Sequence, residues 1–326
     1  MGWLKRRGVV AGMMSAAAAP AVAETIRLGP PVHDKGPLVF LDYDQIELDA
    51  AYDQAAYAPL LGQIIKRYAS LSAATRVRRG QPERFAYGPT PIEKLDLFRG
   101  PHATAPAFVF IHGGAWLSGT ADMYAFPAEM FFDAGAHYIA LDFVSVKDAG
   151  GNLAVMAEQI RRAVGWIYHN AAQLGVDPGQ IYLGGHSSGG HLCGVALVTD
   201  WAARGLPDNI VKAGLCMSGL YEMLPVRLSK RSAYLKFTPE SEAAMSAIRQ
   251  LDRLRVPVTV TYGGDETPEF QRQSREFAKA SNATLIAVPD HNHFEMALTL
   301  GDPYGANGRA ALGMMGLRTA SSTRSQ

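Results

Sequence analysis

The chain has 326 residues, 48% of them hydrophobic, enough to bury roughly three quarters of the surface an unfolded chain would expose. Its 31 basic and 30 acidic side chains leave a formal net charge of +1, which gives no reason to expect a nucleic-acid partner. Charged residues at 19% and aromatics at 9% exclude wholesale disorder, and two cysteines, Cys193 and Cys216, are too few for a disulfide scaffold.

From the N-terminus, Lys5, Arg6 and Arg7 precede a small apolar run over 8–19 and the tripeptide Ala21-Val22-Ala23. Positive charges, apolar centre and small-residue cleavage site, in that order, mark a secretory signal. The run is about a dozen residues, against the roughly 20 that a spanning helix needs. The expectation is a signal peptide over 1–23 cleaved after Ala23, by the Sec or the Tat route. The mature chain, 24–326, is then periplasmic or secreted and has no membrane span.

Residues 24–80 read as an N-terminal helical segment, with short helices over 48–57 and 60–70 parted at Pro59. Strand-like runs follow at 84–87, 93–98, 107–111 and 138–143. Over 152–174, Leu153, Met156, Ala157, Ile160, Val164, Ile167 and Ala171 recur every three or four residues. That spacing predicts one helix with one buried face, stopped by Gly175. A strand at 180–183, a small-residue helix from 189 to about 203 and a strand at 213–217 come next. Residues 218–250 show no clear strand and are assigned to an insertion over the sheet's active edge, a candidate lid. Strands at 256–262 and 284–288 then flank a helix over 268–280, with Thr267 expected to cap it and Pro268 in its first position. Short strands alternating with longer helices predict an α/β fold, a single domain around a mainly parallel sheet.

The chemistry gathers at the ends of these strands. Gly185-His186-Ser187-Ser188-Gly189 satisfies G-x-S-x-G between a strand and a helix, where a sharp turn lifts the central Oγ above the sheet. Ser187 is the expected nucleophile, Ser188 the weaker alternative. Upstream, His112-Gly113-Gly114-Ala115-Trp116 ends a strand, and its glycines can turn their amides inward. The N–H groups of Gly113, Gly114 and Ser188 are the expected oxyanion donors. An orienting acid and a base should follow in that order: Asp265, after the strand at 256–262, and His293, after the last strand. Glu266 and Asp290 compete as the acid and His291 as the base. His291-x-His293 could be read as a metal pair, but no third ligand stands near it, so no metal and no cofactor is expected. His186 and His191 read as packing around the elbow, and His33, His102, His137 and His169 as surface or structural residues. Trp116 and Tyr221 are candidate walls of a substrate pocket.

The HGGAW motif, the GHSSGGHL elbow and the order Ser187, Asp265, His293 resemble the α/β-hydrolase superfamily, on its HGG-motif esterase side. YDQAAYAP at 52–59, MSGLYEM at 217–223, GGDETPEFQRQS at 263–274 and HNHFEM at 291–296 are similar to the kynurenine formamidase, or arylformamidase-like, group. The resemblance implies an α/β-hydrolase fold with a small N-terminal or insert cap. It also implies a cofactor-free serine hydrolase that cleaves a formamide, amide, lactam or ester in a small-molecule substrate. A general carboxylesterase is the alternative within that chemistry; a catalytically silent binding protein on the same fold is the alternative outside it.

Overall fold

The innermost strands are short apolar runs that bury both faces, as a sheet covered by helices on each side requires. In the computed structural model, which describes residues 32–318, the chain enters as a two-stranded antiparallel ribbon, β1 (Leu38–Phe40) and β2 (Tyr43–Asp44). Asp44 caps α1 (Gln45–Ala50) in a capping box with Glu47. A 3₁₀ turn (Gln54–Tyr57) leads to α2 (Leu61–Arg79), which runs well past its predicted end. Its buried positions include Ser72 and Thr75, so apolar periodicity alone understates it. The predicted export signal lies outside the described residues.

The main sheet is built from β3 (Glu83–Ala86), β4 (Lys94–Phe98), β5 (Ala105–Ile111), β6 (His137–Leu141), β7 (Val176–His186), β8 (Gly214–Met217), β9 (Val258–Gly263) and β10 (Thr284–Val288). Their order is β10-β9-β8-β7-β5-β6-β4-β3. The β3–β4 and β4–β6 pairs are antiparallel and the other five parallel. The side-chain alternation of β5 divides the interior in two. Ala107, Val109 and Ile111 join one core, which also receives α4 (Leu153–His169), α6 (Ser188–Leu197) and α9 (Pro268–Ser281). Phe108 and Phe110 join the other, with α2, α3 (Ala128–Asp133) and α11 (Ala306–Met314).

Two predicted helices are shorter than expected. The one over 152–174 breaks at Asn170 into α4 and α5 (Ala171–Leu174). The one after Ser187 ends at Leu197, its remainder becoming a 3₁₀ turn at Ala202–Arg204. Thr267 occupies the cap position of α9 but caps nothing: its hydroxyl instead donates to Ala51 O at 2.7 Å. Between β8 and β9 lie α7 (Leu224–Leu228), a 3₁₀ turn (Lys230–Ala233), α8 (Pro239–Met245) and a second 3₁₀ stretch (Ala247–Arg253). The remaining helix, α10 (His293–Leu298), follows β10. Cys193 and Cys216 are buried free thiols. Among the described residues no helix is long and apolar enough to cross a membrane.

Candidate active site

Ser187 sits between the end of β7 and the start of α6 with φ 59° and ψ −124°, a backbone state that costs a non-glycine residue about 1–3 kcal/mol. The flanking glycines make that turn possible. A Cβ on Gly189 would lie 2.0 Å from the carbonyl oxygen of Ile111, and one on Gly185 would lie 2.1 Å from that of Gly189. No side chain fits at either place. Ser187 N donates to Met217 O at 2.9 Å, which ties the turn to β8.

His293, the first residue of α10, reaches Ser187 from the far side. Its Nε2 lies 2.8 Å from Ser187 Oγ, placed to accept the hydroxyl proton. A capping box of Asn292 and Glu295 fixes the backbone there, and Phe270 and Phe294 meet the imidazole edge-on at 5.0 and 5.3 Å. The ring's other nitrogen corrects the expectation from sequence. Nδ1 donates to Glu266 Oε2 at 2.9 Å, whereas Asp265 is exposed. The turn after β9 explains the exchange: Gly264 N donates to Val288 O, Asp265 N to His291 O and Glu266 N to Gly263 O. That path turns Asp265 to solvent and Glu266 inward. The second oxygen of Glu266 accepts from Ser218 Oγ at 2.5 Å and from Gly263 N at 2.7 Å. Adjacent acids in GGDE differ by one step of the turn, which spacing could not resolve, and nothing in the sequence reading singled out Ser218. His291 turns away, donating from Nδ1 to Pro289 O at 2.9 Å. Both ring nitrogens of His293 are engaged, so the His291-x-His293 metal reading fails on geometry.

The glycine turn after β5 stands against the nucleophile. A Cβ on Gly113 would be 2.9 Å from Ser187 Cβ, so only glycine lets this backbone come so near. Gly114, Ala115 and Trp116 follow with φ of 122°, 55° and 63°, a tight loop closed by Leu117 N and Ser118 N on Gly114 O. Ser188 opens α6, and the first amides of a helix have no acceptor within it. Gly113 and Ser188 thus adjoin Ser187, and Gly113 and Gly114 line the same cleft as Ser187.

The neighbouring histidines are structural. His186 Nε2 donates to His293 O at 2.8 Å, and burial together with the facing His293 drives its pKa down to about 3. His191 accepts from Trp116 Nε1 at 3.1 Å and donates to Met245 O at 2.9 Å; burial lowers its pKa to about 4. Neither Trp116 nor Tyr221 lines the cleft that holds Ser187 and His293. Trp116 is 2% exposed and hangs from His191, and Tyr221 is wholly buried, stacked 4.0 Å from Phe277.

Ser187 and His293 open on a cleft of about 540 Å³ walled by Tyr52, Ile65, Tyr68, Tyr124 and Arg231. A larger hollow of about 620 Å³, beside α2 and α3, is lined by no serine, cysteine or histidine. Over the cleft, buried side chains lace the N-terminal segment to the acid's loop. Gln54 Nε2 donates to Thr267 Oγ1 at 3.1 Å and Thr267 N to Gln54 Oε1 at 3.2 Å. Gln273 donates to Tyr52 OH and accepts from Tyr221 N and Glu222 N. The segments at 52–59, 217–223 and 263–274 singled out in the sequence thus meet in one polar seam.

Residues 95–212 match the BD-FAE family model. A kynurenine formamidase of Salmo salar is 27% identical over 281 residues, covering 80% of this chain and 92% of that protein. A solved structure from Silicibacter sp., described as a candidate thioesterase, superposes with a TM-score of 0.71 at 25% identity, over 80% of this chain and 97% of its own. An esterase from Pyrobaculum calidifontis gives 0.58 at 18% identity, over 78% and 89%. Sheet order, a serine at a strand-to-helix turn and these likenesses lead to one conclusion: the chain has the α/β-hydrolase fold, and its relatives include kynurenine formamidases and esterases.

Proposed function

We propose that the chain is a serine hydrolase of arylformamidase type, which cleaves a formamide or a related amide or ester through an acyl-enzyme. At the coarser level it is a hydrolase of ester or amide bonds. The observation that carries the reading is the unbroken relay from Ser187 through His293 to Glu266, with steps of 2.8 and 2.9 Å, at the foot of a cleft.

Each residue has a step. Ser187 Oγ attacks the substrate's carbonyl carbon as its proton passes to His293 Nε2. The resulting oxyanion lies among the Gly113, Gly114 and Ser188 amides. Collapse of the tetrahedral centre breaks the C–N or C–O bond, and the Nε2 proton goes to the leaving amine or alcohol. Water, deprotonated by the same nitrogen, then releases the acid from Ser187. Glu266 holds the imidazole in the tautomer that leaves Nε2 free and stabilises the imidazolium between steps. Ser218 and Gly263 hold Glu266 in turn.

Similarity to kynurenine formamidase supports the formamide; similarity to the Silicibacter protein supports a general ester or thioester cleavage as second reading. The deciding measurement is kcat/KM of residues 24–326 on N-formylkynurenine beside a short-chain p-nitrophenyl ester, with Ser187→Ala as control. A formamide preference of orders of magnitude supports the first reading, and cleavage of the ester alone the second. Full activity in Ser187→Ala would overturn Ser187 as the nucleophile, and no labelling of Ser187 by a fluorophosphonate would leave a catalytically silent binding protein.

A further inference from the structure

Resting on the hydrolase reading, we propose that Arg231 is a specificity residue, which selects substrates carrying a carboxylate on the group held in the cleft.

Arg231 belongs to the 3₁₀ turn at Lys230–Ala233, within the segment between β8 and β9. It is only 9% exposed, yet it lines the same cleft as Ser187 and His293. A buried guanidinium normally comes with a carboxylate, because removing an unpaired charge from water costs several kcal/mol. Among the described residues Arg231 has no acidic partner. Nη2 donates to Tyr52 O at 3.0 Å and Nη1 to Tyr234 OH at 3.2 Å, while the buried Nε meets no acceptor. Two of the five guanidinium donors are thus engaged by neutral oxygens.

The nearby acids are committed elsewhere. Asp53 lines the cleft but lies 3.1 Å from Lys230 Nζ. Glu269, across Tyr52, is held by Arg272 at 2.6 Å. Neither neutralises Arg231, and the cleft lining contains no other arginine or lysine.

The guanidinium is also held in place. Its carbon lies 5.4 Å from the ring centroids of both Tyr52 and Trp116, contacts that favour a cation and restrict its rotation. A planar, fixed, always-charged fork with spare donors suits a bidentate carboxylate. Such an anion, brought in on the substrate, would supply the partner the fold omits. The oxyanion donors and the relay act on the scissile carbonyl; Arg231 would act on a second, non-reacting group and so set which molecules are presented to them. Trp116 then serves selectivity at one remove, since it fixes the guanidinium without lining the cleft.

The test uses residues 24–326 and two substrate pairs, each differing by one carboxylate: p-nitrophenyl hydrogen succinate against p-nitrophenyl butyrate, and N-formylanthranilate against formanilide. The expected result is an anionic-to-neutral kcat/KM ratio of about 10 to 100 in at least one pair, the size of one charge-assisted contact. It should arise chiefly in KM, collapse toward one in Arg231→Met and return in part in Arg231→Lys. A ratio near one in both wild-type pairs overturns the proposal, as does an equal loss on both members in Arg231→Met. Benzoate gives a readout without turnover: it should raise the Tm of the wild type more than benzamide does, and not that of Arg231→Met. Absence of that difference also counts against the anchor. Failure to cleave any of the four substrates, with the benzoate shift intact, would instead sink the hydrolase reading and leave anion binding standing.

Discussion

The strand ends and the segments laid over them build the two halves of the cleft by different means. At the strand ends, backbone geometry does the placing: β5 delivers the glycine turn, β7 the serine, β9 the acid, and α10, after β10, the histidine. Over them, the N-terminal segment and the 218–250 segment are held by side-chain hydrogen bonds among Gln54, Thr267, Tyr52 and Gln273, and there sits Arg231. The first half fits a reaction common to many acyl substrates; the second carries Arg231, and the two meet where Ser218 and Gln54 hold the loop of Glu266.

Substitutions can break that division or sharpen it. The largest effect is expected from the acid. Glu266→Gln should lower kcat by up to about 10⁴-fold, since a wrong tautomer disables the base, with Tm nearly unchanged. Asp265→Asn should stay within about twofold, as surface changes do; the reverse ranking, measured in one kinetic series, would restore Asp265. Next comes Gly189→Ala, whose new Cβ would collide with the Ile111 carbonyl. A loss of more than about 3 kcal/mol in denaturant unfolding is expected.

His191 gives a pH effect. Its imidazole, ordinarily near 6.5, protonates only at about 4 in the fold, so between those values the unfolded chain binds the extra proton. Stability therefore falls as pH drops from 6.5 toward 4. His191→Gln should shrink the difference in unfolding free energy between pH 7 and pH 5 by about 2 kcal/mol. An unchanged difference would mean that the ring is not neutral in the folded state. The seam comes last. Gln54→Ala removes two hydrogen bonds to Thr267 and should cost about 1–3 kcal/mol. A few-fold loss in kcat/KM is expected with it, because the same loop carries Glu266.

The sequence disclosed the first half far better than the second. Ser187, the HGG turn and His293 were legible because each follows a strand whose run of apolar residues is unmistakable, as in Phe108, Val109, Phe110 and Ile111. The acid was off by one residue, because adjacent carboxylates in a turn face opposite sides and only the backbone path decides between them. Trp116 and Tyr221 misled for a related reason: large aromatics beside a site look like walls, yet each is fully packed, one hung from His191 and one stacked on Phe277. Arg231 carried no signal. It lies near Arg227 and Lys230, in a stretch that reads as solvated surface, and only tertiary burial sets it apart.

The distances along the chain that the relay closes have a kinetic consequence. Ser187 and His293 are 106 residues apart, and the base cannot meet the serine until β8, β9 and β10 have joined β7. Long-range closures of this kind are late and slow events in folding. During refolding, secondary structure and tryptophan burial should therefore recover ahead of hydrolysis, and turnover should return only with the final phase. A chain interrupted before His293 would hold a serine, an oxyanion pocket and most of the sheet, and no catalytic base.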